Sequence, residues 1–198
     1  LWLLVFAYEG CVFTDITFIF VKTLLMKKIT LLLTRHGETI ENKKNILQGQ
    51  LPGTLSELGI QQAEELAKRL VEVPLDVIIS SDLSRSYKTA EIVAGQKGME
   101  VFSTPLLREM HWGSYTGDAF EKVDWYNLPF GVESLEELDM RAGEFVNYLR
   151  VKYPGKRILA VGHGAFNRAI LNHLEGRKPL EMLEKPIMGN TEIVELVC

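Results

Sequence analysis

Cysteine is almost missing from this sequence. Only Cys11 and Cys198 occur in 198 residues, near opposite ends, and neither has metal-ligand spacing around it. A disulfide framework is therefore excluded, and a reducing cytoplasm is the expected compartment. A basic excess is missing too. Lys and Arg number 22 against 26 Asp and Glu, a net charge of −4 with the two signs interspersed. That balance speaks against a nucleic-acid partner. No repeat or low-complexity segment is visible. Long uncharged runs are also absent: in the apolar residues 1–25, Glu9, Asp15 and Lys22 interrupt every stretch before it reaches a comfortable membrane span. This segment has neither the basic start nor the small-residue cleavage site of a signal peptide. A membrane anchor is the rival reading, but no membrane partner is expected. Met26 reads as the natural start, with residues 1–25 an extension outside a single domain of residues 26–198.

What the sequence does contain is an alternation of strands and helices. Ile29-Thr30-Leu31-Leu32-Leu33 is an aliphatic run that reads as a fully buried strand. Residues Ile40 to Thr54, with Asn42, Gln48, Gly49, Pro52 and Gly53, argue against regular structure. Ser56 caps a helix to about Val71, with Ile60, Ala63, Ala67 and Leu70 on its apolar face. Gln61, Gln62, Glu64, Glu65 and Lys68 take the other face. Asp76 to Ser80 is a second strand. Ser81 to Arg85 opens a helix running to about Ala94 and stopping at Gly95. Glu100-Val101-Phe102 is a third strand. An aromatic, Gly-rich connection through Trp112 and Gly117 leads to a short helix around Ala119 to Tyr126.

Ser134-Leu135-Glu136-Glu137 is a capping box, and Leu135, Leu138, Ala142, Phe145, Val146 and Leu149 follow it as a core stripe. Arg157 to Val161 is the fourth strand, Ala165 to Leu174 a helix, Leu180 to Leu183 a short helix, and Thr191 to Val197 the last strand. This order implies an α/β fold, a three-layer α/β/α sandwich with a mostly parallel sheet.

Two strand ends carry unusual residues. Thr34-Arg35-His36-Gly37-Glu38 closes the first strand and Gly162-His163-Gly164 the fourth. Arg and His cost several kcal/mol to bury unpaired, so these are poor packing residues. They suit a site, because open α/β sheets bind ligands at the carboxyl ends of their strands. Arg85 falls in the first turn of a helix, where a cation opposes the dipole. Binding an anion gives it a reason, and a solvated surface position is the alternative. In a parallel sheet Arg35, His36, Arg85 and His163 can share one pocket. Two guanidinium groups and two imidazoles suit a phosphoryl group, whose oxygens match the Arg fork. A metal held by the two histidines is the lesser possibility, since Arg35 beside His36 would repel a cation. No metal and no cofactor are expected. His111 and His173 are read as surface residues.

Taken together, these pieces resemble the histidine phosphatase superfamily, the phosphoglycerate mutase-like proteins. The resemblance rests on Leu33 to Thr39 with Asn42, Gln48-Gly49, Leu55 to Gly59, Ser80 to Arg85, Arg108-Glu109 with Trp112-Gly113 and Gly117, and Val161 to Gly164, in the family's order. It implies that His36 is the nucleophile and becomes a phosphohistidine. Arg35, Arg85 and His163 would hold the transferring group, and Glu109 would protonate the leaving oxygen and then activate water. Asn42, Gln48, Gly49 and the amide of Gly164 would line the phosphate pocket.

Within the family, mutases are similar in the core but carry a longer, more basic insert between the acid and the second histidine, with adjacent arginines. Here that stretch is short, and its Lys122, Arg141, Arg150, Lys152, Lys156 and Arg157 include no Arg-Arg pair. A phosphatase acting on a small-molecule phosphate ester is therefore expected, as a monomer or homodimer. A phosphoglycerate mutase and a non-catalytic phosphate-binding module are the alternatives. Phe120, Trp125, Tyr126 and Phe130, near the Trp112–Gly117 motif, could wall the site or simply pack.

Overall fold

The structure, a computed structural model, describes residues 27–198. The expectations for residues 1–25 and Met26 lie outside the described residues. Five strands form one sheet: β1 (Thr30–Arg35), β2 (Val77–Ser81), β3 (Val101–Thr104), β4 (Arg157–Gly162) and β5 (Ile193–Val197). Their order is β3-β2-β4-β1-β5. β1 to β4 run parallel, and β5 lies antiparallel along the edge of β1. The first strand pairs with the fourth in register, Leu32 opposite Leu159 and Arg35 opposite Gly162. His36 and His163, the next residues, thus emerge side by side.

Side chains alternate across the sheet, as the two-residue period of a strand requires. Leu31, Leu33, Ile79, Ile158 and Ala160 face one layer, while Leu32, Ile78, Leu159 and Val161 face the other. The first layer holds α4 (Leu135–Lys152) and α5 (Gly164–Leu174). The second holds α2 (Glu57–Leu70) and α3 (Ser84–Lys97). All six residues of the expected α4 stripe are buried, and the Ser134–Glu137 capping box is formed. The sandwich and its mostly parallel sheet are as the alternation implied.

Several local expectations need correction. A helical turn, α1 (Ile40–Lys43), interrupts the loop, because Thr39 and Asn42 build a reciprocal cap. On α2, Ile60 is 42% exposed and Leu66 fully buried, so the buried stripe is Gly59, Ala63, Leu66, Ala67 and Leu70. α3 passes through Gly95 and ends at Gly98, whose φ of 62° is left-handed. A glycine inside a helix costs only about 1 kcal/mol, which the surrounding helix absorbs. The Ala119–Tyr126 helix is reduced to a 3-10 turn, Phe120–Lys122, and Leu180–Leu183 lies in another, Pro179–Glu184. Pro129 and the run of tight turns leave no length for an α-helix.

The start of α2 seats against the strand-end motif. A Cβ on Gly37 would strike the Gly59 carbonyl oxygen, and one on Gly59 would strike the Glu38 carbonyl oxygen. Ser56 caps the helix through Gly59 N–H, while its own N–H donates to the Glu38 carbonyl. Backbone meets backbone here, so neither side can yield to an added methyl. Gly59→Ala is expected to destabilise the fold by about 1–3 kcal/mol or more, read as a lower urea midpoint at unchanged slope. Gly98→Ala relieves no clash and would show only its left-handed strain, so the two variants separate crowding from conformation.

Candidate active site

His36 follows β1 and is 2% exposed. Its backbone N–H donates to the Gly162 carbonyl, and its carbonyl accepts from Asn190 Nδ2 at 2.8 Å. Two partners define its ring. Nδ1 lies 2.7 Å from the Gly37 carbonyl oxygen, and Arg85 Nε lies 3.2 Å from Nε2. A carbonyl only accepts and a guanidinium only donates. His36 is therefore the Nδ1–H tautomer, with its lone pair on Nε2. Its pKa is pushed well below the ordinary histidine value by burial first, then by Arg85 and Arg35.

Arg85 sits in the first turn of α3, as expected, but it is not a surface residue: it is 1% exposed. Its remaining donors reach back to the carbonyls of Gly49, Leu51 and Pro52. The loop between α1 and α2 thereby wraps the guanidinium. Burial lowers its pKa to about 10, partly offset by Glu109, so it stays charged at neutral pH. Arg35 holds the Met188 carbonyl through Nη1 at 3.0 Å, and its buried Nε has no partner among the described residues. Burial lowers the Arg35 pKa as well, against the pull of Glu109.

His163 is fully buried beside His36, with ring centroids 5.2 Å apart in edge-to-face contact. Neither of its ring nitrogens has a partner among the described residues. Its pKa is pushed far down, by burial first and then by Arg85, His36 and Arg35. Glu109 faces the pair from the next layer. Its carboxylate accepts the N–H groups of Met110, Ala165 and Phe166 at 2.9, 3.2 and 3.0 Å. The last two belong to the first turn of α5, where free amides and the dipole suit an anion.

A cavity of about 370 Å³ opens over this cluster. Arg35, His36, Asn42, Gln48, Gly49, Arg85, Glu109 and Gly164 all line it. His163 does not reach its surface and stands behind His36. Gln48 donates to Thr39 Oγ1 at 2.7 Å, and its own Oε1 is buried without a partner among the described residues. Trp112 and Phe120 form part of the wall, with Trp125 edge-on behind both. Tyr126 and Phe130 are 80% and 106% exposed and form no wall. His111 is exposed, with its ring on the Gly131 carbonyl, and His173 pairs with Asp139 at 3.1 Å. Among the described residues no group of three or more His, Cys, Asp or Glu could hold a metal ion.

Some lining residues carried no signal in the sequence. Ile187 to Asn190 strap the cavity only because β5 returns along β1, and Asn190 bridges to Arg35. Gln62, read as a solvent-facing helix residue, accepts Glu38 N–H at 2.8 Å. Thr89 accepts Gly37 N–H at 3.1 Å. Arg141, read as a helix-face cation, grips Glu133 with two donors and the carbonyls of Leu106 and Arg108 with another. It lies 3.9 Å over the Phe166 ring and so fixes the segment before Glu109.

The two low-pKa imidazoles make stability depend on pH. They stay neutral in the folded chain, whereas in the unfolded chain each takes a proton near pH 6.5. Below that pH the unfolded state binds more protons, so stability falls as pH falls. Each contributes up to about 1.4 kcal/mol per pH unit. Urea unfolding at pH 7 and pH 5 is expected to show the decline, and His163→Asn to remove about half of this contribution.

The geometry is that of a buried neutral imidazole among cations, and comparisons with known proteins show the family to which the chain belongs. The family described as the histidine phosphatase superfamily (branch 1) matches residues 31–198. A phosphoglycerate mutase-like protein of Arabidopsis thaliana is 32% identical over 183 residues, 84% of this chain and 79% of the relative. A metal-independent phosphoserine phosphatase of the same plant is 34% identical over 157 residues, 71% of this chain and 66% of that protein. A mycobacterial glucosyl-3-phosphoglycerate phosphatase structure superposes with a TM-score of 0.77 at 29% identity, covering 86% of this chain and 91% of that one. With the family's motifs gathered around one cavity, and a match spanning all five strands, the chain belongs to the histidine phosphatase superfamily.

Proposed function

We propose that this chain is a metal-independent phosphomonoester hydrolase that works through a phosphohistidine at His36. The observation that carries this reading is the tautomer: a neutral imidazole in the cavity lining keeps its lone pair on Nε2, where Arg85 Nε donates to it. An imidazole held this way is a competent nucleophile near pH 7. Nε2 attacks phosphorus, the bond to the ester oxygen breaks, and that oxygen leaves with the proton that the monoanionic ester brings in and Glu109 relays. Water then attacks the phosphorus as Glu109 takes a proton from it. The P–N bond breaks and phosphate leaves with the histidine restored.

Phosphoryl transfer asks chiefly for positioning and charge stabilisation. Arg35 and Arg85 supply charge at the equatorial oxygens, and their desolvation strengthens it. His163, which lies off the cavity surface, packs edge-to-face on His36 and so backs the ring rather than touching the phosphoryl group. Asn42, Gln48, Gly49 and the Gly164 amide complete the phosphate pocket. Nδ1–H on the Gly37 carbonyl stabilises the cation formed as the ring is phosphorylated.

Hydrolysis is favoured over mutase chemistry by where the basic residues are committed. Lys122 pairs with Asp118, Arg141 with Glu133, Lys156 with Asp76 and Arg157 with Glu195. None of them lines the cavity, so they do not grip a second acidic group. The named relatives act on phosphoserine and glucosyl-3-phosphoglycerate, which favours a small organic phosphate ester as substrate. A cytoplasmic setting goes with this reading.

Phosphate release from a panel of phosphomonoesters, measured in EDTA, tests the proposal. The parent chain is expected to turn over, and His36→Ala to lose about 1,000-fold or more of kcat. Acid quench of the parent should trap an acid-labile phosphohistidine. Glu109→Gln is expected to lower kcat by roughly 100- to 10,000-fold. Rapid conversion of 3-phosphoglycerate to 2-phosphoglycerate with 2,3-bisphosphoglycerate present, and little free phosphate, would instead make it a mutase.

A further inference from the structure

The His36 tautomer is set from both sides, by Arg85 Nε donating to Nε2 and by the Gly37 carbonyl that takes the Nδ1 proton, so whatever fixes that carbonyl helps to set the nucleophile. The Gly37 carbonyl and the Glu38 N–H belong to the same peptide unit. A peptide unit is planar and trans, so its C=O and N–H point in opposite directions. Anchoring the N–H therefore aims the C=O. The Glu38 N–H is anchored by Gln62 Oε1 at 2.8 Å, from the second turn of α2. Only the amide oxygen of Gln62 can accept it. We propose that Gln62 is a positioning residue for the reaction, locking the Gly37–Glu38 peptide so that its carbonyl faces His36 Nδ1 and leaves Nε2 unprotonated. This rests on the reading of His36 as the nucleophile.

The surrounding contacts isolate this role. The preceding peptide is held on both edges, with the His36 carbonyl on Asn190 Nδ2 and the Gly37 N–H on Thr89 Oγ1. Thr89 spends its own proton on the Arg85 carbonyl at 2.8 Å, so its oxygen is left to accept. Between that clamped peptide and the next lies Gly37, whose missing Cβ allows the wide range of backbone angles a peptide flip needs. Gln62 is the contact that holds the second peptide's N–H. If this peptide turned over, Glu38 N–H would face Nδ1. Nδ1 would then face a donor while Arg85 Nε still donates to Nε2, so the ring proton could move only to Nε2, displacing Arg85, and the nucleophilic lone pair would be gone. Because Gly37 and Gly59 lack the Cβ atoms that would strike the opposing backbone, α2 can come close enough for Gln62 to reach.

The test compares Gln62→Leu, which keeps the bulk and loses the acceptor, with Gln62→Glu, which keeps an acceptor oxygen. Steady-state kinetics are read together with long-range proton–nitrogen NMR correlations of the imidazoles. The chain has only four histidines, so His36 is assignable by its loss in His36→Ala. Gln62→Leu is expected to lower kcat about 10- to 100-fold, with KM within about twofold. It should also show the His36 proton partly on Nε2. Gln62→Glu should restore both readouts to within about threefold. An unchanged kcat in Gln62→Leu overturns the proposal, and so does a lowered kcat with the proton still wholly on Nδ1. A parent chain with no His36-dependent turnover would overturn the phosphatase reading instead, and the tautomer in Gln62→Leu would then decide this one.

Discussion

At the centre of the molecule a buried guanidinium donates to a neutral imidazole. That contact, Arg85 Nε to His36 Nε2 at 3.2 Å, constrains much of the rest. A guanidinium 1% exposed needs acceptors, and the carbonyls of Gly49, Leu51 and Pro52 provide them. The loop before α2 is thereby shaped around the side chain. The imidazole needs an acceptor on its far nitrogen, which places the Gly37 carbonyl. That carbonyl in turn needs its peptide anchored, which brings in α2. One polar contact thus joins two strand ends and two helices.

Glu109 is held by different means. Its carboxylate sits on the first turn of α5, directly after His163, so the acid and the second histidine share one strand–helix junction. Arg141 secures the chain leading to Glu109 through two carbonyls, and stacks on Phe166, whose N–H meets the carboxylate. His36 and Glu109 are therefore held by contacts from separate layers of the sandwich, and both line the cavity. Glu109 itself lies in irregular chain after β3, so the α5 amides and Arg141 are what hold its position.

The polar cluster is unusual in how little of it is satisfied internally. Arg35 Nε, Gln48 Oε1 and both nitrogens of His163 are buried without partners among the described residues. Such atoms are costly in a finished core. Of these residues Arg35 and Gln48 line the cavity, so part of this cost to stability lies at the candidate site itself.

The sequence by itself determined the layer architecture and picked out most of the polar residues gathered at the candidate site. Aliphatic runs at strand length, an alternating order of helices and the capping box at Ser134 are local patterns with local causes. Arg35, His36, Arg85, Glu109 and His163 stood out because strand ends and helix starts are poor places for buried polar residues unless they act. Tertiary structure alone decided which supporting residues matter. Gln62 and Arg141 read as solvent-facing because helical periodicity says only which face is apolar, not what lies opposite the polar one. Asn190 and the strap before β5 join the cavity because the last strand pairs antiparallel with β1, a contact across more than 150 residues. Ile60 and Gly95 went astray for a related reason: burial at a stripe's edge and the true end of a helix are settled by packing and by the first left-handed residue. The tautomer of His36 follows from a guanidinium on α3 and a peptide plane that Gln62 of α2 contacts, partners that no local pattern around residue 36 reveals.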